Sequence, residues 1–127
     1  MQSDEFKPRL SAAVILLVED EILLRSMIAD ELRDAGYSVI EFVSGDDAWR
    51  YLDAEERVDL IISDVTMPGE IQGDELYRRV AASFPDTHVI LTSGYPAAVK
   101  GPTAPHFFHK PFDIATLIEL INRLLCR

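Results

Sequence analysis

Glu19 and Asp20 follow the apolar run VILLV, Asp64 ends the run LIIS, Thr92 and Ser93 follow VIL, and Lys110 stands just beyond Phe107 and Phe108. An apolar run that closes on a lone carboxylate leaves that carboxylate in need of a partner, because burying an unpaired charge is costly. If Glu19, Asp20 and Asp64 meet, their mutual repulsion raises the cost of ionising all three, and a divalent cation removes it. Carboxylate oxygens completed by water suit Mg²⁺. A carboxylate is also a competent nucleophile in phosphoryl transfer, forming an aspartyl phosphate. The transferred oxygens then need a metal and a cationic side chain, for which Lys110 supplies a point charge and Thr92 or Ser93 a hydroxyl. Pro68, shortly after Asp64, keeps helix from starting at once and leaves that loop open to metal and donor.

Each piece alone also fits a plainer role. Acids at a helix start complement its dipole, which would account for Glu19 and Asp20. Asp64 could cap a turn before Met67 and Pro68. Lys110 before Pro111 could be a solvated lysine, and Thr92-Ser93 an ordinary turn. His88, His106 and His109 lack ligand spacing and read as surface or packing residues, and Trp49 and Tyr77 as helix-face packing. Co-occurrence of all four pieces at the ends of strands is what favours a site.

The elements that would bring them together are legible in the periodicity. Ala12 to Val18 is an apolar run of strand length, and Leu24, Met27, Ile28, Leu32 and Ala35 recur at helix spacing before Gly36. Tyr37 to Val43 reads as a strand. Ser44 with Asp47 starts a helix running to about Glu56. Asp59 to Ser63 is a third strand, Gly73 to Phe84 a helix, His88 to Leu91 a fourth strand, and Phe107-Phe108 a short fifth. A final helix carries Ile114, Leu117, Ile118, Ile121, Leu124 and Leu125 in one stripe after an Asp113 cap. Alternating strands and helices imply an α/β fold: a doubly wound, flavodoxin-like, five-stranded parallel sheet in the order 2-1-3-4-5. Ligands in such sheets bind beyond the carboxyl ends of the strands, where Glu19, Asp20 and Asp64 would converge. Between the fourth and fifth strands, Pro96, Gly101, Pro102 and Pro105 make the fourth helix short or missing.

With 127 residues the chain fits one domain, divided here into an N-terminal extension, 1–11, and a domain, 12–127. The net charge of −10 argues against a nucleic-acid or anionic-membrane partner and suits a cation or a basic partner, though a solvated acidic surface fits it equally. The single cysteine, Cys126, can form no internal disulfide and has no companions for a zinc site. No stretch is long enough for a membrane span and residues 1–9 lack the apolar core of a signal peptide, so the cytoplasm is the expected compartment.

The segments "VILLVED" (14–20), "DLIISDVTMPG" (59–69), "TSG" (92–94) and "KPF" (110–112) occur in this order. On them the chain resembles the receiver domain of two-component response regulators, from about Ala12 to Cys126. The resemblance implies Asp64 as phospho-acceptor, with Mg²⁺ held by Asp20, by Glu19 directly or through water, by Asp64 and by the backbone carbonyl of Thr66. It implies Lys110 as the phosphate-pairing lysine, a cis Lys110-Pro111 bond, and Phe107 as the aromatic switch residue. Ser93-Gly94 fits the switch hydroxyl best, and Thr92-Ser93 is the other alignment. The chain departs from the family pattern in a longer loop after Asp64, in Glu19 where Asp is commoner, and in a shorter, proline-rich stretch from Ser93 to Lys110.

The function so implied is that of a receiver taking a phosphoryl group from a sensor histidine kinase or histidine phosphotransfer protein, then switching a protein partner. It would be a single-domain regulator, a monomer or weak dimer, and an enzyme only toward its own aspartyl phosphate. Residues 94–106 would be mobile without phosphate and ordered on activation. Two other readings stand beside this one. A phosphorylation-independent interaction module on the same fold is opposed by the intact acid and lysine set. A Mg²⁺ phosphatase of the haloacid-dehalogenase type would need Asp-x-Asp, where Glu19 and Asp20 are adjacent. No glycine-rich phosphate loop follows any strand.

Overall fold

The computed structural model of the chain describes residues 12–54, 56–94 and 105–126. Its strands are β1 (Val14–Val18), β2 (Ser38–Phe42), β3 (Leu60–Asp64), β4 (His88–Ser93) and β5 (His106–His109). They form one parallel sheet in the order β2-β1-β3-β4-β5. Four helices are present among the described residues: α1 (Ile22–Asp34), α2 (Gly45–Asp53), α3 (Gly73–Ser83) and α4 (Ile114–Leu124).

Side chains alternate across a strand, so strands that are apolar at every position demand cover on both faces. Ile15, Leu17, Leu60, Ile62 and Ile90 point to one face, where Ile28, Ala29 and Leu32 of α1 and Leu117 and Ile121 of α4 bury them. Leu16, Val18, Ile61, Val89 and Leu91 point to the other, under Ala48 and Leu52 of α2 and Leu76 and Val80 of α3. The two layers of helix are tied locally as the sequence dictates. Ser44 Oγ accepts from Asp47 N–H at the start of α2, and Asp113 Oδ1 accepts from Ala115 N–H at the start of α4. Gly36, with φ of 100°, turns the chain out of α1 toward β2. Tyr37 Oη donates to Asn122 Oδ1, joining the start of β2 to α4.

The boundaries correct the sequence reading at several ends: β2 is Ser38–Phe42 rather than 37–43, β3 is Leu60–Asp64 rather than 59–63, and α3 ends at Ser83 rather than Phe84. β1 begins at Val14 rather than Ala12, and α2 stops at Asp53, short of Glu56, because the chain must already be extended where Val58 is buried and Asp59 N–H donates to Val14 O. β4 runs on through Thr92 and Ser93, which are therefore strand residues and not a turn, since pairing with Asp64 and His109 continues to that point. β5 likewise includes His106 and His109. The expectation of a short or missing helix, and most of the segment 94–106 expected to order on activation, fall on residues 95–104, outside the described residues; at the end of that segment His106 already belongs to β5.

Candidate functional site

The chain leaves β1 for the sheet edge at β2 and returns to β3 on the other side of β1, so a crevice opens at the carboxyl ends of β1 and β3. Asp64 is the last residue of β3, pairs in register with Thr92, and is buried. Glu19 follows β1 directly and is only 3% exposed. Its N–H donates to Phe42 O, and its carbonyl accepts from Arg25 Nη1 at 2.9 Å, so both sides of its backbone are fixed. Asp20, next along, is exposed. One carboxylate oxygen from each of Glu19, Asp20 and Asp64 lies within 4.8 Å of the others. The three acids expected to converge do so.

Lys110 enters from the far side of the sheet, just after β5. Its N–H donates to Ser93 O, and its Nζ donates to Glu19 Oε1 at 2.8 Å and to Asp64 Oδ2 at 3.0 Å. Partial burial pulls the Lys110 ammonium toward a lower pKa, but its hydrogen bonds to Glu19 and Asp64, with their charges, outweigh this and hold it above its ordinary value. Burial pushes the Glu19 carboxyl up, against the opposing bonds from Lys110 and the Glu21 N–H, and the nearby Asp64 charge adds to the rise. The Lys110-Pro111 bond is cis, as the resemblance implies.

Three carboxylates against one ammonium leave two negative charges uncompensated at the site. Its donors are all oxygens, with no histidine or cysteine among them. That is the chemistry of a hard divalent cation, and Mg²⁺ fits it. The cleft above is lined by Asp20, Asp64, Thr66, Gly94 and Lys110 and has a volume of about 430 Å³.

Thr92 and Ser93 are both buried at the end of β4. Strand alternation separates them. Ser93 shares its face with Leu91 and, across the register, with Phe107; Thr92 shares the opposite face with Ile90 and Phe108. Ser93 also lies one residue beyond the Asp64–Thr92 pair, next to Gly94 in the cleft lining. Phe107 is half-buried and meets the His109 ring edge-on at 4.8 Å between centroids.

Two side chains that fix the loop after Asp64 were missed in the sequence. Asp46, in the first turn of α2, reaches out to accept from Glu70 N–H at 3.1 Å and Ile71 N–H at 3.0 Å. Gln72 folds back on its own loop, accepting from Met67 N–H at 2.9 Å and donating to Met67 O at 2.8 Å and Gly69 O at 3.1 Å. Only the unusual length of the loop after Asp64 signalled that something must fix it. Two glycines allow the close approach. A Cβ at Gly73 would stand 2.2 Å from Asp64 O, and one at Gly69, whose φ is +94°, would stand 2.6 Å from Asp46 Oδ1.

Beside the cleft, Glu21, Leu24, Met27, Pro111, Phe112 and Ile114 form a second, mainly apolar groove of about 340 Å³ that ends at Lys110. The adjoining surface of α1 exposes Ile22, Leu23 (82%) and Met27. No helix among the described residues is long and apolar enough to cross a membrane.

Known proteins resemble the chain over most of its length. Residues 15–122 match the model of the response regulator receiver domain. The chain is 34% identical over 116 residues to the response regulator receiver protein CpdR of Brucella abortus (strain 2308), a match covering 87% of this chain and 95% of that protein. Longer relatives match over the same stretch, of whose lengths it spans 13 to 25%. Among solved structures, the receiver domain from the hybrid histidine kinase CckA is 38% identical with a TM-score of 0.74, covering 89% of this chain and 99% of that one. The response regulator protein TrrA from Thermotoga maritima, in complex with Mg(2+)-BeF, is 28% identical with a TM-score of 0.79, covering 88% and 98%.

Proposed function

Because the chain belongs to the response regulator receiver domain family, we propose that it accepts a phosphoryl group on Asp64 from a phosphohistidine. The donor is a sensor histidine kinase or a histidine phosphotransfer protein, and the product switches binding of a downstream protein. The observation that carries this reading is Lys110 Nζ held at 2.8 and 3.0 Å between Glu19 and Asp64 at the mouth of an otherwise acidic cleft. An Asp64 carboxylate oxygen attacks phosphorus in line while the bond from phosphorus to the imidazole nitrogen breaks, and the imidazole leaves with the electron pair. Lys110 supplies positive charge to the transferring oxygens, with Thr92 backing Asp64 in the paired strand.

Glu19, Asp20, Asp64 and the Thr66 carbonyl would hold Mg²⁺, an ion that the solved relative TrrA carries with BeF. Bound there, the ion neutralises and orients the phosphoryl oxygens. Ser93 is the switch hydroxyl in this reading, supported by its place beyond the Asp64–Thr92 pair and by the face it shares with Phe107. Its movement toward the phosphoryl group would free space for the Phe107 ring to turn inward. The exposed apolar residues Ile22, Leu23 and Met27 lie on α1, which begins two residues after the cleft residue Asp20, and offer a surface to the protein donor that brings its imidazole to Asp64. The cytoplasm is the compartment of this reading, since a single cysteine calls for no oxidising environment.

The test is incubation with Mg²⁺ and a small phosphodonor such as acetyl phosphate, read by intact mass. One phosphoryl group should be gained, only with divalent cation present, and none by Asp64→Asn. Full labelling of that variant would overturn the assignment.

A further inference from the structure

A trans peptide is planar, with its N–H and C=O pointing in opposite directions, so fixing one fixes the other. The Thr66–Met67 peptide is trans, and its N–H donates to Gln72 Oε1 at 2.9 Å. The Thr66 carbonyl therefore points away from Gln72, and Thr66 lines the cleft. The Gln72 amide cannot turn over freely. Its Nε2 donates to Met67 O and Gly69 O, bonds that only a carboxamide can combine with acceptance from Met67 N–H. A hydrogen bond to a peptide N–H also polarises that peptide and makes its oxygen a stronger donor to a cation.

We propose that Gln72 is a positioning residue for the divalent-cation site, acting through the Thr66–Met67 peptide to aim and polarise the Thr66 carbonyl. The inference rests on the reading of that carbonyl as a ligand. It is separable from the simpler role of closing the loop, because Asp46 closes the same loop without touching the Thr66–Met67 peptide. Asp46 binds the N–H groups of Glu70 and Ile71. Loss of a partner behind a metal ligand typically weakens metal binding by 10- to 100-fold.

Calorimetric titration of Mg²⁺ into the full chain distinguishes the two roles, with thermal melts of the metal-free proteins run alongside. Gln72→Met should weaken Mg²⁺ binding about tenfold. Asp46→Ala should lower the melting temperature as much or more, yet leave Mg²⁺ affinity within about twofold, since the carbonyl stays aimed. If Gln72→Met does not fold, Gln72→Asn, which keeps the amide but draws it back by one methylene, should show the same loss. Unchanged affinity in the Gln72 variants would overturn the inference while leaving the phospho-acceptor reading intact. Equal losses in Gln72 and Asp46 variants would also overturn it, reducing Gln72 to general loop order. A wild-type chain that binds no Mg²⁺ would remove the reading beneath the inference and the inference with it.

Discussion

At the scale of single residues, Lys110 and a divalent cation compete for the same work. Glu19 and Asp64 are buried, and Lys110 Nζ contacts both. Lys110→Met leaves two buried carboxylates facing each other and should cost about 1–3 kcal/mol of stability. Most of that loss should be recovered in saturating Mg²⁺, because the ion compensates the same oxygens. Denaturant titrations with and without Mg²⁺ check this, and an equal deficit in both would deny that ion and lysine share a site. The complementary change removes the acids. Glu19→Gln combined with Asp20→Asn should weaken Mg²⁺ binding at least tenfold, about 1.4 kcal/mol, in a direct titration. Unchanged affinity would refute the site.

At the scale of elements, the site depends on how closely α3 starts against the end of β3. Gly73 N–H donates to Val65 O at 2.8 Å, and a Cβ at Gly73 would sit 2.2 Å from the Asp64 carbonyl. Both contacts are backbone, which cannot swing aside as a side chain would. Gly73→Ala should therefore destabilise the fold by about 1–3 kcal/mol through overpacking. Because the displaced group is Asp64's own backbone, the variant should also phosphorylate more slowly with acetyl phosphate. Normal stability and rate together would show that the junction yields easily. On α1, Leu23 is exposed beside the cleft and does not contribute to either core cluster. Leu23→Asp should leave the fold and acetyl phosphate labelling unchanged while slowing transfer from a protein phosphodonor about tenfold, the effect of losing roughly 1.4 kcal/mol of encounter binding. Equal rates from the protein donor would remove α1 from the docking surface.

The whole molecule carries a net charge of −10, and three of its acids meet at one end of the sheet. A ligand that binds only the folded state stabilises it by mass action. Mg²⁺ at one hundred times its dissociation constant should add about 2.7 kcal/mol, visible as a raised melting temperature. Sodium chloride at matched ionic strength should not reproduce it, since screening of dispersed surface charge is not site binding. Equal effects of the two salts would mean that the acidic surface, and not the cluster, responds to cations.

Much of this was legible in the chain itself. The periodicity of 2 and of 3.6 is set by backbone geometry, so apolar residues at those spacings identified every described strand and helix. Continuous apolar strands implied cover on both faces, and right-handed crossovers leave few orders for five parallel strands, of which 2-1-3-4-5 is the common one. Asp64, Lys110 and the Glu19-Asp20 pair stood out because a charged residue at the end of a buried strand has no ordinary partner nearby. What the chain could not disclose depends on approach between elements far apart in sequence. Asp46 looks like any acid at a helix start until α2 is packed against the loop before α3. Gln72 is an unremarkable polar residue until its loop closes on Met67. Thr92 and Ser93 are adjacent hydroxyls that any strand puts on opposite faces, and only the register of β4 against β3 decides which of them pairs with Asp64 and which lies one residue beyond. Local pattern determines which element a residue belongs to, because it repeats every few residues. The partner of a polar side chain is decided by tertiary packing, because the atoms it bonds come from a different part of the chain.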